Sequence, residues 1–267
     1  MAAALRLGPG SHGSNPSAVT TPEVFVVRDR ELLLDAVAAR LVTFLVDRIA
    51  AAGSANLLVS GDRLSGDVMA AVSRGPAGDS VDWSAVAVWW ANDTWDQTAD
   101  RSAAALFPLL ERLGIGSANI HPIPVLGVGQ LPEFAAADYA NELAAARHPD
   151  DHGSVPAFDV ALLAVGSAGS VAGLQPERPT AYDTAAVAVD RASRQITLTA
   201  ASLSTAREVW LLATGGAAAP GVHLALTAAG PYQVPAAGAR GAVRTLMLAD
   251  DAAASRLPHE LRRIASP

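Results

Sequence analysis

Phe158-Asp159-Val160-Ala161-Leu162-Leu163-Ala164-Val165 runs directly into Gly166-Ser167-Ala168-Gly169-Ser170. A nearly unbroken apolar run closed by a small-residue turn reads as a strand buried on both faces, the habit of a parallel sheet. Other segments share this pattern. Residues 86–90 (VAVWW) form one apolar run, 56–60 (NLLVS) enter Gly61-Asp62, and 208–213 (EVWLLA) end at Thr214-Gly215-Gly216. Residues 23–27, 185–189, 195–199 and 244–248 read as further strands. Between them lie helical patterns. Leu34, Val37, Leu41, Phe44 and Leu45 recur at helical spacing within 31–52, before a stop at Gly53. Helices are also predicted over 65–73, 100–113, 132–146, 202–206 and 217–228, and after Asp250 as a terminal helix with that residue as its cap. Strands alternating with helices give an α/β fold with a mostly parallel sheet, in which ligands sit at the carboxyl ends of the strands. The loops to watch are therefore 60–65, 91–100, 166–175 and 214–219.

Composition narrows the chemistry. The chain has 267 residues, no cysteine and no lysine; all 19 basic residues are arginine, and 58 residues are alanine. Thiolate metal sites, disulfides and cysteine nucleophiles are excluded, as are a lysine Schiff base and a Walker-type phosphate loop. A net charge of -7 and a pI near 5.3 argue against nucleic acid as a partner. The apolar fraction of 51% suffices for a packed core, and no apolar run reaches the roughly 18 residues of a membrane span. Residues 1–21, rich in Gly, Ser and Pro, read as a flexible tail rather than a signal peptide, and the protein as cytoplasmic. Gly8-Pro9-Gly10-Ser11-His12-Gly13 has dinucleotide-fingerprint spacing but lacks the flanking strand and helix that the motif needs.

Several segments carry a family resemblance. Val81-Asp82-Trp83-Ser84 leads to Val88-Trp89-Trp90, and Phe158-Asp159-Val160 leads to Leu162-Leu163. Arg194-Gln195-Ile196-Thr197-Leu198-Thr199, Ala206-Arg207-Glu208-Val209-Trp210-Leu211-Leu212 and Val234-Pro235-Ala236-Ala237 follow in order. In these segments the chain resembles the 6-phosphogluconolactonase family over about residues 24–258. The resemblance implies a single Rossmann-like three-layer α/β/α domain over 22–260. It also implies hydrolysis of 6-phosphoglucono-1,5-lactone to 6-phosphogluconate in the pentose phosphate pathway, a sugar phosphate as ligand, and neither cofactor nor metal.

The family's functional motifs are altered here. The phosphate-holding Ser-Gly-Gly-Ser-type loop reads Ser60-Gly61-Asp62-Arg63, which puts a carboxylate beside the expected phosphate; Arg63 offsets it only by turning inward. Gly-Asp-Glu-Arg after the Trp-rich strand becomes Ala91-Asn92-Asp93-Thr94, so Asp93 keeps one acid and Thr94 replaces a phosphate-clamping arginine. Arg101 aligns with a further family arginine. The motif ending in Gly-His becomes Gly166-Ser167-Ala168-Gly169-Ser170, in register with Leu174 and Pro176. In the family that histidine is the general base; a serine hydroxyl is not basic at neutral pH, and losing such a base costs ~10²–10⁴-fold. A family lysine after the Glu-Val-Trp strand corresponds to Ala218.

The candidate catalytic residues are thus Ser170 and Asp93, and the candidate substrate-binding residues Ser60, Gly61, Asp62, Arg63, Gly169 and Arg194. Ser170 as a nucleophile lacks the G-x-S-x-G elbow. His148 and His152 suit a solvated turn better than a metal site, His121 reads as structural, and Trp89 and Trp90 as core. Two functions follow: a lactonase of weak or no activity, or a non-catalytic homologue that keeps the scaffold to bind a ligand or regulate a protein partner.

Overall fold

A computed structural model describes residues 21–95, 102–151, 153–182, 185–227 and 230–262. The expected tail with its Gly8 to Gly13 stretch, Arg101 and His152 lie outside the described residues.

Seven strands form one sheet: β1 (Glu23–Val27), β2 (Ala55–Val59), β3 (Val86–Trp90), β5 (Ile120–His121), β6 (Val160–Ala164), β9 (Glu208–Ala213) and β10 (Arg244–Asp250). Their order is β1-β10-β9-β6-β2-β3-β5, and every neighbouring pair is parallel. A second, antiparallel sheet joins β4 (Asn92–Thr94), β8 (Gln195–Leu198) and β7 (Val187–Asp190). The sequence reading contains the last two as strands but not their separate sheet, nor β4.

The main sheet is buried because its strands are apolar on both faces. Leu57, Leu58, Val59, Val88, Trp90, Leu162, Leu163, Leu211 and Leu212 are essentially inaccessible. Flanking helices supply the cover. Helix α1 (Arg30–Ala52) is started by Asp29, whose carboxylate accepts from the Leu32 amide at 3.0 Å. Its buried stripe is Leu33, Leu34, Val37, Ala38, Leu41, Val42 and Leu45. It ends at Gly53, which takes φ +81°, the left-handed cap that glycine adopts at least cost. Helix α2 (Arg63–Arg74) lies between α1 and α3 (Ser102–Leu113), and α4 (Pro132–Ala145) packs on the small sheet. Helices α5 (Ala200–Leu203), α6 (Ala219–Leu226) and α7 (Pro235–Gly238) are short. Arg240 closes α6 and α7 by donating to the carbonyls of Ala225, Ala236 and Ala239, and its burial lowers its pKa.

The terminal helix expected after Asp250 does not form. Residues 251–257 form turns and a bend, and among the described residues beyond them the one helical piece is a single 3-10 turn, His259–Leu261. The Asp250 carboxylate does accept from the Ala253 amide at 2.8 Å, as a cap does, but it also holds the Thr214 hydroxyl and the Gly215 amide. It serves as a tie between two strand ends.

The amino ends of the central strands are fastened by Asp159. Its carboxylate accepts from Arg48 Nε at 2.5 Å and from the Asn56 amide at 2.8 Å, while its own amide donates to the Asn56 carbonyl at 2.9 Å. Asp159 is 3% exposed, so its charge depends on these donors. Asp159→Ala is expected to cost about 3 kcal/mol, the low end for breaking a buried ion pair because Arg48 reaches solvent. Urea denaturation checks this; a loss under about 1 kcal/mol contradicts the role given to Asp159.

Candidate active site

Chain order reverses between β2 and β6. From β2 the chain proceeds outward through β3 and β5; β6 then returns to the other side of β2, and β9 and β10 extend away from it. Such a switch point opens a crevice at the carboxyl ends of the strands. A pocket of about 320 Å³ occupies it.

One wall comes from the turn after β2. The Ser60 hydroxyl accepts from the Ala164 amide at 3.1 Å and lies 3.1 Å from the Ser65 hydroxyl, so it stitches β2 to β6. Asp62 is the N-cap of α2. Its carboxylate accepts from the Ser65 amide at 3.0 Å, and closely from the Ser60 hydroxyl. Burial is the largest influence on this carboxyl and pushes its pKa up; the hydrogen bonds oppose that rise. The Asp62 amide turns back to the Ser60 carbonyl at 2.9 Å. The Gly61 amide donates to Asn92 Oδ1 at 2.9 Å, and Asn92 Nδ2 donates to Gln195 Oε1 at 2.9 Å. This chain of bonds links β2, β4 and β8 across the pocket.

The opposite wall is the turn after β6. Gly166 and Ser170 close on each other, the Gly166 amide donating to the Ser170 carbonyl at 3.0 Å. A methyl group on Gly166 would meet the Ser170 hydroxyl at 2.2 Å, and one on Gly221 would meet the Gly166 carbonyl at 1.9 Å. Side-chain-free positions therefore let α6 press the turn into place. Beyond it, Val171 and Leu174 pair around Ala172 and Gly173, both at positive φ, and this tip abuts Asn92.

Of the candidate residues, Ser60, Gly61, Asp62 and Ser170 share the pocket. The others are placed elsewhere. The Arg63 side chain is 94% exposed and approaches Asp67 on its own helix, so it does not turn inward. Asp93 is buried, and its carboxylate accepts from the Thr94 amide at 2.8 Å. Successive strand residues face opposite ways, so Asn92, not Asp93, is presented to the pocket. Arg194 is exposed at the β7–β8 turn with φ +54°; its carbonyl holds the Trp95 amide and the Thr94 hydroxyl, while its neighbours Ser193 and Gln195 line the pocket. Gly169, at φ +78°, does not line the pocket; its carbonyl accepts from the Ala236 amide. Ala218 is buried at the start of α6.

Sequence reasoning missed Asn92, Gln175, Ser193 and Gln195 as wall residues. Asn92 and Gln175 lie in the strand-end loops 91–100 and 166–175, whereas Ser193 and Gln195 are brought in by the pairing of β4 with β8, which has no local signal. His121 is stacked on Trp89 at 3.8 Å and lies 2.6 Å from the Glu142 carboxylate, so it belongs to the sheet edge and not to the pocket. Among the described residues, no group of three or more His, Cys, Asp or Glu side chains could hold a metal ion, and no helix is long and apolar enough to cross a membrane.

Asp62 gives this site a pH signature. Its raised pKa means that the protonated carboxyl favours the folded state, an advantage present at low pH and lost as pH rises through the folded value. Asn caps as well as Asp and carries no charge. The melting temperature of Asp62→Asn relative to wild type is therefore expected to climb between pH 4 and pH 8; a difference that falls over this range refutes the burial argument.

Residues 28–247 match the sequence profile described as Glucosamine-6-phosphate isomerases/6-phosphogluconolactonase. The 6-phosphogluconolactonase of Streptomyces coelicolor is 41% identical over 252 residues, covering 90% of this chain and 97% of that protein. That of Mycobacterium tuberculosis is 34% identical over 242 residues, covering 86% and 96%. Among solved structures, 6-phosphogluconolactonase from Trypanosoma brucei aligns with a TM-score of 0.75 at 19% identity, over 90% of this chain and 100% of that one. A monomeric glucosamine-6-phosphate deaminase aligns with a TM-score of 0.67 at 16% identity, over 87% and 99%. At these identities the structural likeness speaks to the fold alone.

Proposed function

The chain belongs to the glucosamine-6-phosphate isomerase/6-phosphogluconolactonase family, and we propose that within it this protein keeps the pocket as a binding site while hydrolysis of 6-phosphoglucono-1,5-lactone has fallen close to background. The observation that carries the reading is the make-up of the pocket wall. Where the family resemblance expects a histidine stands Ser170, and no histidine or arginine is among the residues that line the pocket in the described structure.

The chemistry follows from that wall. Water attack on a lactone carbonyl needs a group that takes a proton near neutral pH. The Ser170 hydroxyl does not, and the remaining wall side chains that carry hydrogen-bonding groups are amides, hydroxyls and Asp62. Among the described residues Asp62 is the one titratable group there, and its oxygens are engaged with Ser60 and Ser65. A sugar phosphate also needs cationic or amide donors for its ester. Arg63 faces solvent, and the Gly61 and Asp62 amides are spent on Asn92 and Ser60. Base and anion seat are therefore weakened together, which supports a binding or regulatory role for the retained scaffold.

The test is a coupled lactonase assay on purified protein with spontaneous lactone hydrolysis subtracted. The expected rate lies near background. A rate typical of an enzyme overturns the proposal and makes Asp62 the first candidate for a replacement base. Ser170→His is expected to recover less than the ~10²–10⁴-fold that a general base supplies, because the anion seat stays blocked.

A further inference from the structure

We propose that Gln195 is the residue with which the pocket reads its ligand, presenting a carboxamide N–H to a carbonyl oxygen of the bound molecule, and that Asn92 fixes this direction. The inference rests on the reading of the crevice between β2 and β6 as a ligand site.

The direction follows from one backbone group. The Gly61 amide only donates, so the Asn92 atom it meets at 2.9 Å is the side-chain oxygen Oδ1. The other end of that carboxamide is then its NH2 group, which only donates, and at 2.9 Å it meets Gln195 Oε1. Turning either carboxamide over would set an NH2 group against a donor. The series therefore runs one way, from Gly61 through Asn92 to Gln195, and ends on Gln195 Nε2.

The small sheet carries that end on its pocket side. Asn92 lies opposite Thr197, and Gln195 is two positions before Thr197 on β8, so the three side chains share one face. The Thr197 hydroxyl donates to the carbonyl of Ala172, a residue of the pocket wall, which fixes that face toward the crevice. Backbone in the left-handed region stands on both sides of it, at Ala172 (φ +47°) and at Arg194 (φ +54°) directly before Gln195. Such conformations cost energy and gather where a site needs a set geometry. Among the described residues Gln195 Nε2 has no hydrogen-bond partner, and it is not one of the buried polar atoms left without one. It is a donor that a ligand can reach. The Ser170 hydroxyl nearby can rotate to donate or to accept, whereas the Gln195 carboxamide is held in one sense. A carbonyl oxygen suits such a donor best, because it accepts and has no proton of its own to place.

Isothermal titration calorimetry of the full chain with D-glucono-1,5-lactam and with 1,5-anhydro-D-glucitol tests this. Both probes are uncharged, and the lactam carries a carbonyl where the other has a methylene. Wild type is expected to bind the lactam more tightly, by about tenfold. Gln195→Glu still accepts from Asn92 Nδ2 but ends in an oxygen, and is expected to abolish the preference while binding of 1,5-anhydro-D-glucitol holds. Asn92→Asp still accepts from the Gly61 amide but gives no proton to Gln195, whose carboxamide then turns over; this variant is expected to abolish the preference without touching residue 195. Where Asn92→Asp does not fold, Gln195→Glu decides by itself. Equal binding of the two probes by wild type, or a lactam preference that survives Gln195→Glu, overturns the proposal and leaves the ligand site standing. Binding of neither probe overturns both.

Discussion

The pairing of β2 with β6 is the seam on which the rest of this molecule hangs. Leu57, Leu58 and Val59 lie beside Val160, Ala161 and Leu162 at the centre of a seven-stranded parallel sheet. The seam is locked at both ends by side chains that accept from the backbone of the opposite strand. At the amino end Asp159 holds the Asn56 amide and draws in Arg48 of α1; at the carboxyl end Ser60 holds the Ala164 amide. The first lock is charged and buried, the second neutral. Because strands on both sides of the seam run the same way, their carboxyl ends gather at one edge, and the two turns that leave them become the walls of one pocket.

This division separates what holds the scaffold from what lines the pocket. The core depends on apolar side chains and on Asp159, which sits at the end of the strands opposite the pocket. The turn after β6 keeps its glycines, because α6 packs against Gly166 through Gly221 with no room for a side chain. The residues between them, Ser167 and Ala168, are exposed and answer to no such constraint. Shape is therefore held by packing, while the identities at 167 and 168 are free of it. Asp62 is a different case. Its side chain caps α2 from within the chain, while its burial disfavours the charged form of that same carboxyl.

Much of this was legible in the chain itself. The segments 23–27, 86–90 and 208–213 are strands to the residue, since an apolar run bounded by turn residues leaves little choice. Ser60, Gly61, Asp62 and Ser170 could be placed in a pocket because they follow such strands directly. The orientation of individual side chains was harder to read. Asp93 and Asn92 differ by one position on a three-residue strand, and only the pairing of β4 with β8 decides which faces inward. Arg63 begins a helix and points to solvent, a direction set by how α2 lies against its neighbours. Asp250 carries a cap signature, yet its carboxylate is shared with Thr214 and Gly215, and the residues after it remain turns. Contacts between distant segments decided each of these, and no local pattern encodes them.

The outermost pair of the sheet joins the two ends of the described chain: β1 lies beside β10, Glu23 against Leu246 and Val27 against Asp250, with Arg244 gripping the Glu23 carboxylate. During synthesis β1 therefore has no partner in its sheet until β10 has emerged. Meanwhile Phe25 and Val26 wait without their neighbouring strand, at elongation rates of about 5–20 residues per second. A nascent chain of this design spends on the order of ten seconds or more with β1 open to self-association before β10 can pair with it.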